Sequence, residues 1–218
     1  MKRLFLASLF ADVAGAFSVF AGDCIGKKAV FIPTASLHEN KLIRPFYVGA
    51  DRRTLTRLGM VVENLEISTA PQAEMERKIR NADVVFVAGG NTFFLLQELR
   101  RTGAGALLRT HIDQGKLYIG ASAGSIVLSP DIAYAKLMDP PAAAPGLHGD
   151  FSALSAVDFS TVPHCVDFPF KKAAAKITKT YSDTLDLRPI SNCQAITVSG
   201  ERVEVITTER SEKWKKFF

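Results

Sequence analysis

The chain is poor in several things, and each shortage removes a class of function. It has three cysteines, Cys24, Cys165 and Cys193, in 218 residues. The number is odd and no pair has CxxC spacing, so neither a disulfide framework nor a structural zinc site is expected, and a reducing compartment fits. No run reaches the 18 or so apolar residues of a membrane-spanning helix. Neither phosphate-loop signature, G-x-x-x-x-G-K-[ST] or G-x-G-x-x-G, occurs, so nucleotide binding has no motif behind it. Nor is there a zinc finger, a basic helix or an RNP-like aromatic motif. The formal charge of +5 sits largely in the tail from Arg210 to Lys216, which reads as solvated surface, so neither nucleic acid nor membrane is expected as a partner.

What is present is a soluble-core composition, 47% hydrophobic and 22% charged. Short apolar runs of strand type alternate with helical patterns. Leu4–Ser8, Ala29–Pro33, Val61–Ile67, Val84–Ala88, Leu117–Gly120, Val157–Val162 and Ala195–Val198 read as strands. Thr54–Leu58, Ala73–Ile79, Phe93–Arg101 and Ala106–Ile112 read as helices. Val84-Val85-Phe86-Val87 is apolar on consecutive residues, as a strand covered on both faces must be. The alternation predicts an α/β three-layer sandwich with a mostly parallel central sheet, residues 1–218 forming a single domain. Ala195–Val198 and Val203–Ile206, joined across Ser199-Gly200-Glu201, predict an antiparallel edge hairpin. The Pro/Ala/Gly-rich stretch from Ser129 to Asp150 reads as a long functional loop. The opening Met-Lys-Arg-Leu-Phe-Leu-Ala has the look of a signal peptide, with Ala14-Gly15-Ala16 beyond it. Asp12 interrupts that pattern, and a first strand in a cytoplasmic protein is the expectation.

The chemistry concentrates at Lys116-Leu-Tyr-Ile-Gly-Ala-Ser122-Ala-Gly-Ser-Ile-Val-Leu128. A strand runs into Gly120-x-Ser122-x-Gly124 and then into a helix, the context of a nucleophile elbow. Small residues let strand and helix approach, and the Ala123 N–H lies where a tetrahedral oxyanion forms. A second glycine turn, Val87-Ala88-Gly89-Gly90-Asn91-Thr92, offers a further oxyanion donor, with Gly90 preferred. Of the four histidines, His164 ends a strand-type run, where α/β sheets expose site residues. His38 and His148 read as loop residues and His111 as a surface helix position. For the acid, Asp139 gives the chain order Ser122…Asp139…His164 of α/β-hydrolases, with Asp158 and Asp167 also close to His164. Cys165 adjoins the histidine but lies on no glycine elbow, which disfavours it as nucleophile.

Gly89-Gly90-Asn91-Thr92, Gly-Ala-Ser122-Ala-Gly, Val-Pro-His164 and Gln194-Ala-Ile-Thr-Val, in this order, resemble the dipeptidase E/cyanophycinase family of serine peptidases. The resemblance extends from Arg3-Leu-Phe-Leu through Ile32-Pro-Thr-Ala to the final hairpin. It implies a class I glutamine amidotransferase-like fold and cofactor-free, metal-free hydrolysis of short peptides, aspartyl dipeptides among them, by a monomer or homodimer. By resemblance Ser122 is the nucleophile, His164 the base, and the N–H groups of Gly90 and Ala123 hold the oxyanion. The family's aspartate maps nearest to Asp139, two residues from the ungapped position at Leu137, and a glutamate once considered for that role maps to Asn192. Ala121 stands where dipeptidase E has tryptophan, so the aspartyl preference does not carry over. Two other readings remain open: a catalytically silent amidotransferase-like binding module, and an amidase acting on non-peptide substrates.

Overall fold

The structure, a computed structural model, describes residues 1–38 and 44–209, with the side chains of 44–47 outside the description. The basic tail from Arg210 therefore lies outside the described residues. Strands β1 (Arg3–Ala7), β2 (Lys28–Ile32), β3 (Val61–Asn64), β4 (Val84–Val87) and β5 (Leu117–Ala121) are mutually parallel. A short two-stranded parallel sheet stands apart, β6 (Ser160–Val162) beside β7 (Leu187–Pro189). β8 (Gln194–Ser199) runs antiparallel to β1 and carries β9 (Arg202–Thr207) as the expected hairpin. The main sheet has the order β3-β2-β4-β5-β1-β8-β9.

The helices are α1 (Ala14–Ala21), α2 (Arg44–Arg57), α3 (Gln72–Asn81), α4 (Thr92–Arg101), α5 (Ala104–Asp113), α6 (Ala123–Ile126) and α7 (Lys171–Tyr181). Because successive strand residues point to opposite faces, β1 sends Phe5 to one side and Leu4 and Leu6 to the other. The Phe5 side joins Phe31, Phe86 and Ile119 to Phe10, Phe17 of α1 and Leu55 of α2. Phe31 and Phe86 stack at 5.0 Å, and Phe10 meets Phe86 edge-on, also at 5.0 Å. The Leu4/Leu6 side joins Val30, Val85, Val87 and Tyr118 to residues of α3, α4, α5, α6 and α7. Two apolar layers with the sheet between them are the three-layer sandwich, and the consecutive apolar residues of β4 are all buried as expected.

Several elements differ from expectation. α1 and α7 form where no helix was read, and β7 was not anticipated. Ala14-Gly15-Ala16 is the first turn of α1, and Leu4 to Ala7 are wholly buried in a strand paired on both edges. The 129–150 stretch is not an open loop: it carries three 3₁₀ turns and buries Ile132, Tyr134, Ala135, Ala144 and Leu147 in the core, with the Tyr134 hydroxyl donating to the Thr161 carbonyl at 2.7 Å. His111 is buried rather than on the surface; its Nε2 meets the Leu117 carbonyl at 3.1 Å and burial pushes its pKa down. Among the described residues no helix is long and apolar enough to cross a membrane.

Asp51 of α2 is 2% exposed, and its Oδ1 has no hydrogen-bond partner among the described residues. Burial foremost pushes its carboxyl pKa up to about 7, with the Asp12 charge adding to the rise and a hydrogen bond from the Ala11 backbone opposing it. An unfolded aspartate titrates near 3.9, so between about pH 4 and 7 the folded state keeps a proton that the unfolded state has lost. Stability therefore falls as pH rises through that window, by an amount on the order of a few kcal/mol. Asp51→Asn should match wild type below about pH 4 and exceed it above pH 7, flattening the profile obtained from urea denaturation at a series of pH values.

Candidate active site

The C-terminal ends of β1, β4 and β5 lie side by side, and the chain turns sharply at two of them. β5 ends at Ala121 and α6 begins at Ala123, leaving Ser122 alone to make the turn. Its φ of 49° and ψ of −109° lie outside the regions that L-residues prefer, a conformation that costs roughly 1–3 kcal/mol and persists only when its surroundings enforce it. The enforcement is visible. The Ser122 N–H donates to the Ala7 carbonyl at 2.9 Å, and the Ser122 carbonyl accepts from Ser125 and Ile126. A methyl group at Gly124 would lie 2.1 Å from the Val87 carbonyl oxygen, so α6 can sit this close to β4 only with glycine there. Ser122 is left half-buried.

The second turn, from β4 to α4, packs against the first. A methyl at Gly89 would come 3.2 Å from Ser122 Cβ. Gly90 has φ 139°, and a side chain there would strike the Ala35 carbonyl at 2.2 Å, so this position requires glycine on both counts. Neither the Gly90 nor the Ala123 N–H has a hydrogen-bond acceptor among the described residues. Asn91 caps α4, its side chain accepting from the Phe94 N–H at 2.9 Å.

His164 reaches the same place from the end of β6. Its Nε2 is 3.0 Å from Ser122 Oγ, and its Nδ1 is 2.6 Å from Asn192 Oδ1. The backbone here is also constrained, with φ 59° at His164. Ser8, fully buried just past β1, accepts from the His164 N–H at 3.0 Å and donates to the Ile190 carbonyl at 3.0 Å. Phe170 lies against the imidazole, ring centres 5.1 Å apart. Behind the ring, the buried Asp167 accepts the Asn192 N–H at 2.7 Å. Burial foremost pushes the imidazole pKa below its usual value near 6.5, against opposing pulls from the Asn192 hydrogen bond and the Asp167 charge. The ring is thus neutral at pH 7, with its single proton placed on Nδ1 by the Asn192 oxygen and Nε2 free to accept from the serine.

The expected residues divide accordingly. Ser122 and His164 meet, and the Gly90 turn borders the serine. Asp139 does not take the place expected of it. Its Oδ2 accepts from the Thr92 N–H at 2.9 Å and the Thr92 hydroxyl at 2.6 Å, at the start of α4. The position against Nδ1 belongs to Asn192, set aside at the sequence level because it is not an acid. Asp158 is exposed, and His148 lies exposed on the 129–150 segment. His38, also exposed, has its ring 4.3 Å from that of Phe94. Burial raises the Cys165 thiol pKa, with the Asp167 charge adding to the rise, so that side chain is a poor thiolate source. Ser8 and Asn192 had no local signature, since each acts across more than 25 residues of chain. No group of three or more His, Cys, Asp or Glu side chains among the described residues is arranged to hold a metal ion.

Comparison with known proteins adds an independent line. Residues 6–206 match the model of peptidase family S51. An uncharacterised peptidase of Pasteurella multocida (strain Pm70) is 50% identical over 201 residues, spanning 92% of this chain and 95% of that one. A peptidase E of Shewanella amazonensis is 32% identical over 142 residues, which is 64% of this chain and 54% of the relative. The 1.5 Å crystal structure of a provisionally assigned peptidase E protein from Listeria monocytogenes EGD-e matches with a TM-score of 0.90 at 46% identity, over 95% of this chain and 99% of that one.

The packing at the elbow makes a direct test available. Gly124→Ala should cost at least ~3 kcal/mol, a fall in melting temperature of roughly 6–12 °C for a chain of this size, with activity lost in parallel. A melting curve superimposable on wild type would contradict the contact with Val87.

Proposed function

The chain belongs to peptidase family S51, so it is a serine peptidase of the peptidase E kind, and we propose that it hydrolyses short peptides with Ser122 as nucleophile, His164 as general base and Asn192 as the group that orients the base. The observation that carries this reading is the continuous hydrogen-bonded line Ser122 Oγ–His164 Nε2, His164 Nδ1–Asn192 Oδ1 at 3.0 and 2.6 Å, starting from a serine held in a strained turn.

The steps follow from that geometry. Ser122 Oγ attacks the scissile carbonyl as its proton passes to His164 Nε2. The carbonyl oxygen becomes an oxyanion facing the otherwise unengaged N–H groups of Gly90 and Ala123, at a site partly shielded from water. His164 returns the proton to the leaving amine, giving the acyl-enzyme and the free amine. Water, deprotonated by His164, then cleaves the ester, and the proton goes back to Ser122. Asn192 fixes the imidazole tautomer as an aspartate does in other triads, and an asparagine fills this place in papain-like cysteine proteases. Being neutral, Asn192 contributes no charge against the transient imidazolium; the Asp167 charge, which raises the imidazole pKa, pulls in that direction, and Asp167 also fixes the Asn192 backbone.

Two measurements test the reading. A dipeptide and tripeptide library, with Asp-X and X-Asp members, should yield a selective activity in wild type that Ser122→Ala lowers by at least ~10³-fold. If wild type cleaves none of them, or Ser122→Ala cleaves as well as wild type, the silent binding module becomes the better reading. Cleavage confined to non-peptide amides would favour the amidase.

The pH profile is the second. kcat/KM should fall on acidification through a pKa below 6.5, where His164 takes up a proton and ceases to be a base. Asn192→Asp, which puts a negative charge beside Nδ1, should move that limb to higher pH. An unmoved limb would exclude Asn192 from the relay.

A further inference from the structure

Asp139 is left without the role its place in the chain suggested, yet it is firmly held. One carboxylate oxygen takes both donors of Thr92, the N–H at 2.9 Å and the hydroxyl at 2.6 Å. Thr92 is wholly buried and Asn91 nearly so. The next residue along, Pro140, accepts the Asn91 side-chain N–H at 3.1 Å through its carbonyl. The 129–150 segment is thus fastened to the first turn of α4 at two consecutive residues.

That turn leads directly back to Gly90. Only Ala88 to Asn91 separate the end of β4 from the start of α4, and both ends are pinned from the opposite side as well. The Ala88 N–H donates to the Ile32 carbonyl at 3.0 Å, and the Asn91 N–H to the Ala35 carbonyl at 2.9 Å. Gly90 has no slack of its own, since a side chain there would strike the Ala35 carbonyl. The direction of its N–H is therefore set by where Asn91 and Thr92 are held. Meanwhile the neutral imidazole has one ring proton, which Asn192 receives, and its other nitrogen faces Ser122. The ring offers Asp139 no proton to accept.

We infer that Asp139 is a positioning residue for the oxyanion turn: it acts through Thr92 to hold the Gly90 N–H where the carbonyl oxygen of the substrate develops charge, and it takes no part in orienting His164. The inference rests on the serine mechanism proposed above. It separates two consequences that a triad acid would combine. Loss of Asp139 impairs stabilisation of the oxyanion, which is expressed in kcat. The affinity of His164 for its proton is left unchanged.

Asparagine at 139 discriminates sharply. Its amide oxygen, in the place of Oδ2, can still accept from both the Thr92 N–H and the Thr92 hydroxyl, so both contacts survive. For a triad aspartate the same change reverses the tautomer and costs about 10⁴ in kcat.

The experiment is steady-state kinetics across pH on the full chain, using the best peptide from the library, with wild type, Asp139→Asn, Asp139→Ala, Thr92→Val and Ser122→Ala. Asp139→Asn should stay within about tenfold of wild type. Asp139→Ala should lose kcat by 10²-fold or more, the scale of one oxyanion donor, with KM little changed. Thr92→Val should lose less, and its effect should largely vanish in the Asp139→Ala background, because both changes remove the same contact. The acid limb of kcat/KM should coincide in all active variants. A limb displaced to lower pH in Asp139→Asn, or a 10⁴-fold loss there beside a silent Thr92→Val, would overturn the inference and restore Asp139 as the acid. Wild-type rates in both Asp139 variants would overturn it equally. Full activity in Ser122→Ala would instead remove the mechanism beneath it. If Asp139→Ala does not fold, as judged by circular dichroism, Asp139→Asn and Thr92→Val decide the matter.

Discussion

The approach of α6 to β4 sets the geometry of the whole site. With the Val87 carbonyl oxygen occupying the space where a side chain of residue 124 would begin, strand and helix are joined by a turn too tight for relaxed backbone, and the strain falls on the one residue between them. Ser122 is displayed because the layers on either side leave it no other conformation. The same contact puts the Gly89-Gly90 turn against the serine, since that turn is the direct continuation of the strand whose carbonyl does the crowding. Candidate nucleophile and candidate oxyanion donors are thus two results of one steric condition, to which Asp139 and Pro140 add polar anchorage at the start of α4.

The candidate base is supported differently. His164 comes from outside the main sheet, on a segment continuing from the small β6/β7 pair, and Ser8 ties its backbone to the end of β1. The imidazole is then fixed by polar contacts, Asn192 at Nδ1 and Asp167 behind it. A half shaped first by steric crowding faces a half assembled from hydrogen bonds.

These two halves were unequally legible in the sequence. The elbow is a local steric problem solved by local residue types, so Gly120-x-Ser122-x-Gly124 between an apolar strand and an apolar helix announces itself. The consecutive apolar residues of β4 announce a covered strand in the same way. Asn192 and Ser8 are single polar residues with no pattern around them, and their roles exist only once segments 28 and 156 residues apart are folded together. Asp139 misled for the converse reason: chain order suggested an acid, but hydrogen bonding is decided in space. α1 was missed because small and apolar residues before a loop are common to helices and cleavable leaders. His111 looks exposed from its helix alone because the neighbours that bury it, α3, α4 and β5, come from other parts of the chain.

The position of β1 bears on when the chain becomes an enzyme. That strand lies inside the sheet, between β5 and β8, although residues 117 and 199 mark how far along the chain its two partners lie. A ribosome must therefore deliver almost the entire described sequence before the interior of the sheet can close. Pairing over such sequence separations is also slow. Since His164 follows Ser122 by 42 residues and Asn192 follows His164 by 28, the emerging polypeptide carries the proposed nucleophile before the residues that would activate it. The proposed peptide-cutting capacity therefore depends on segments delivered well after the elbow itself.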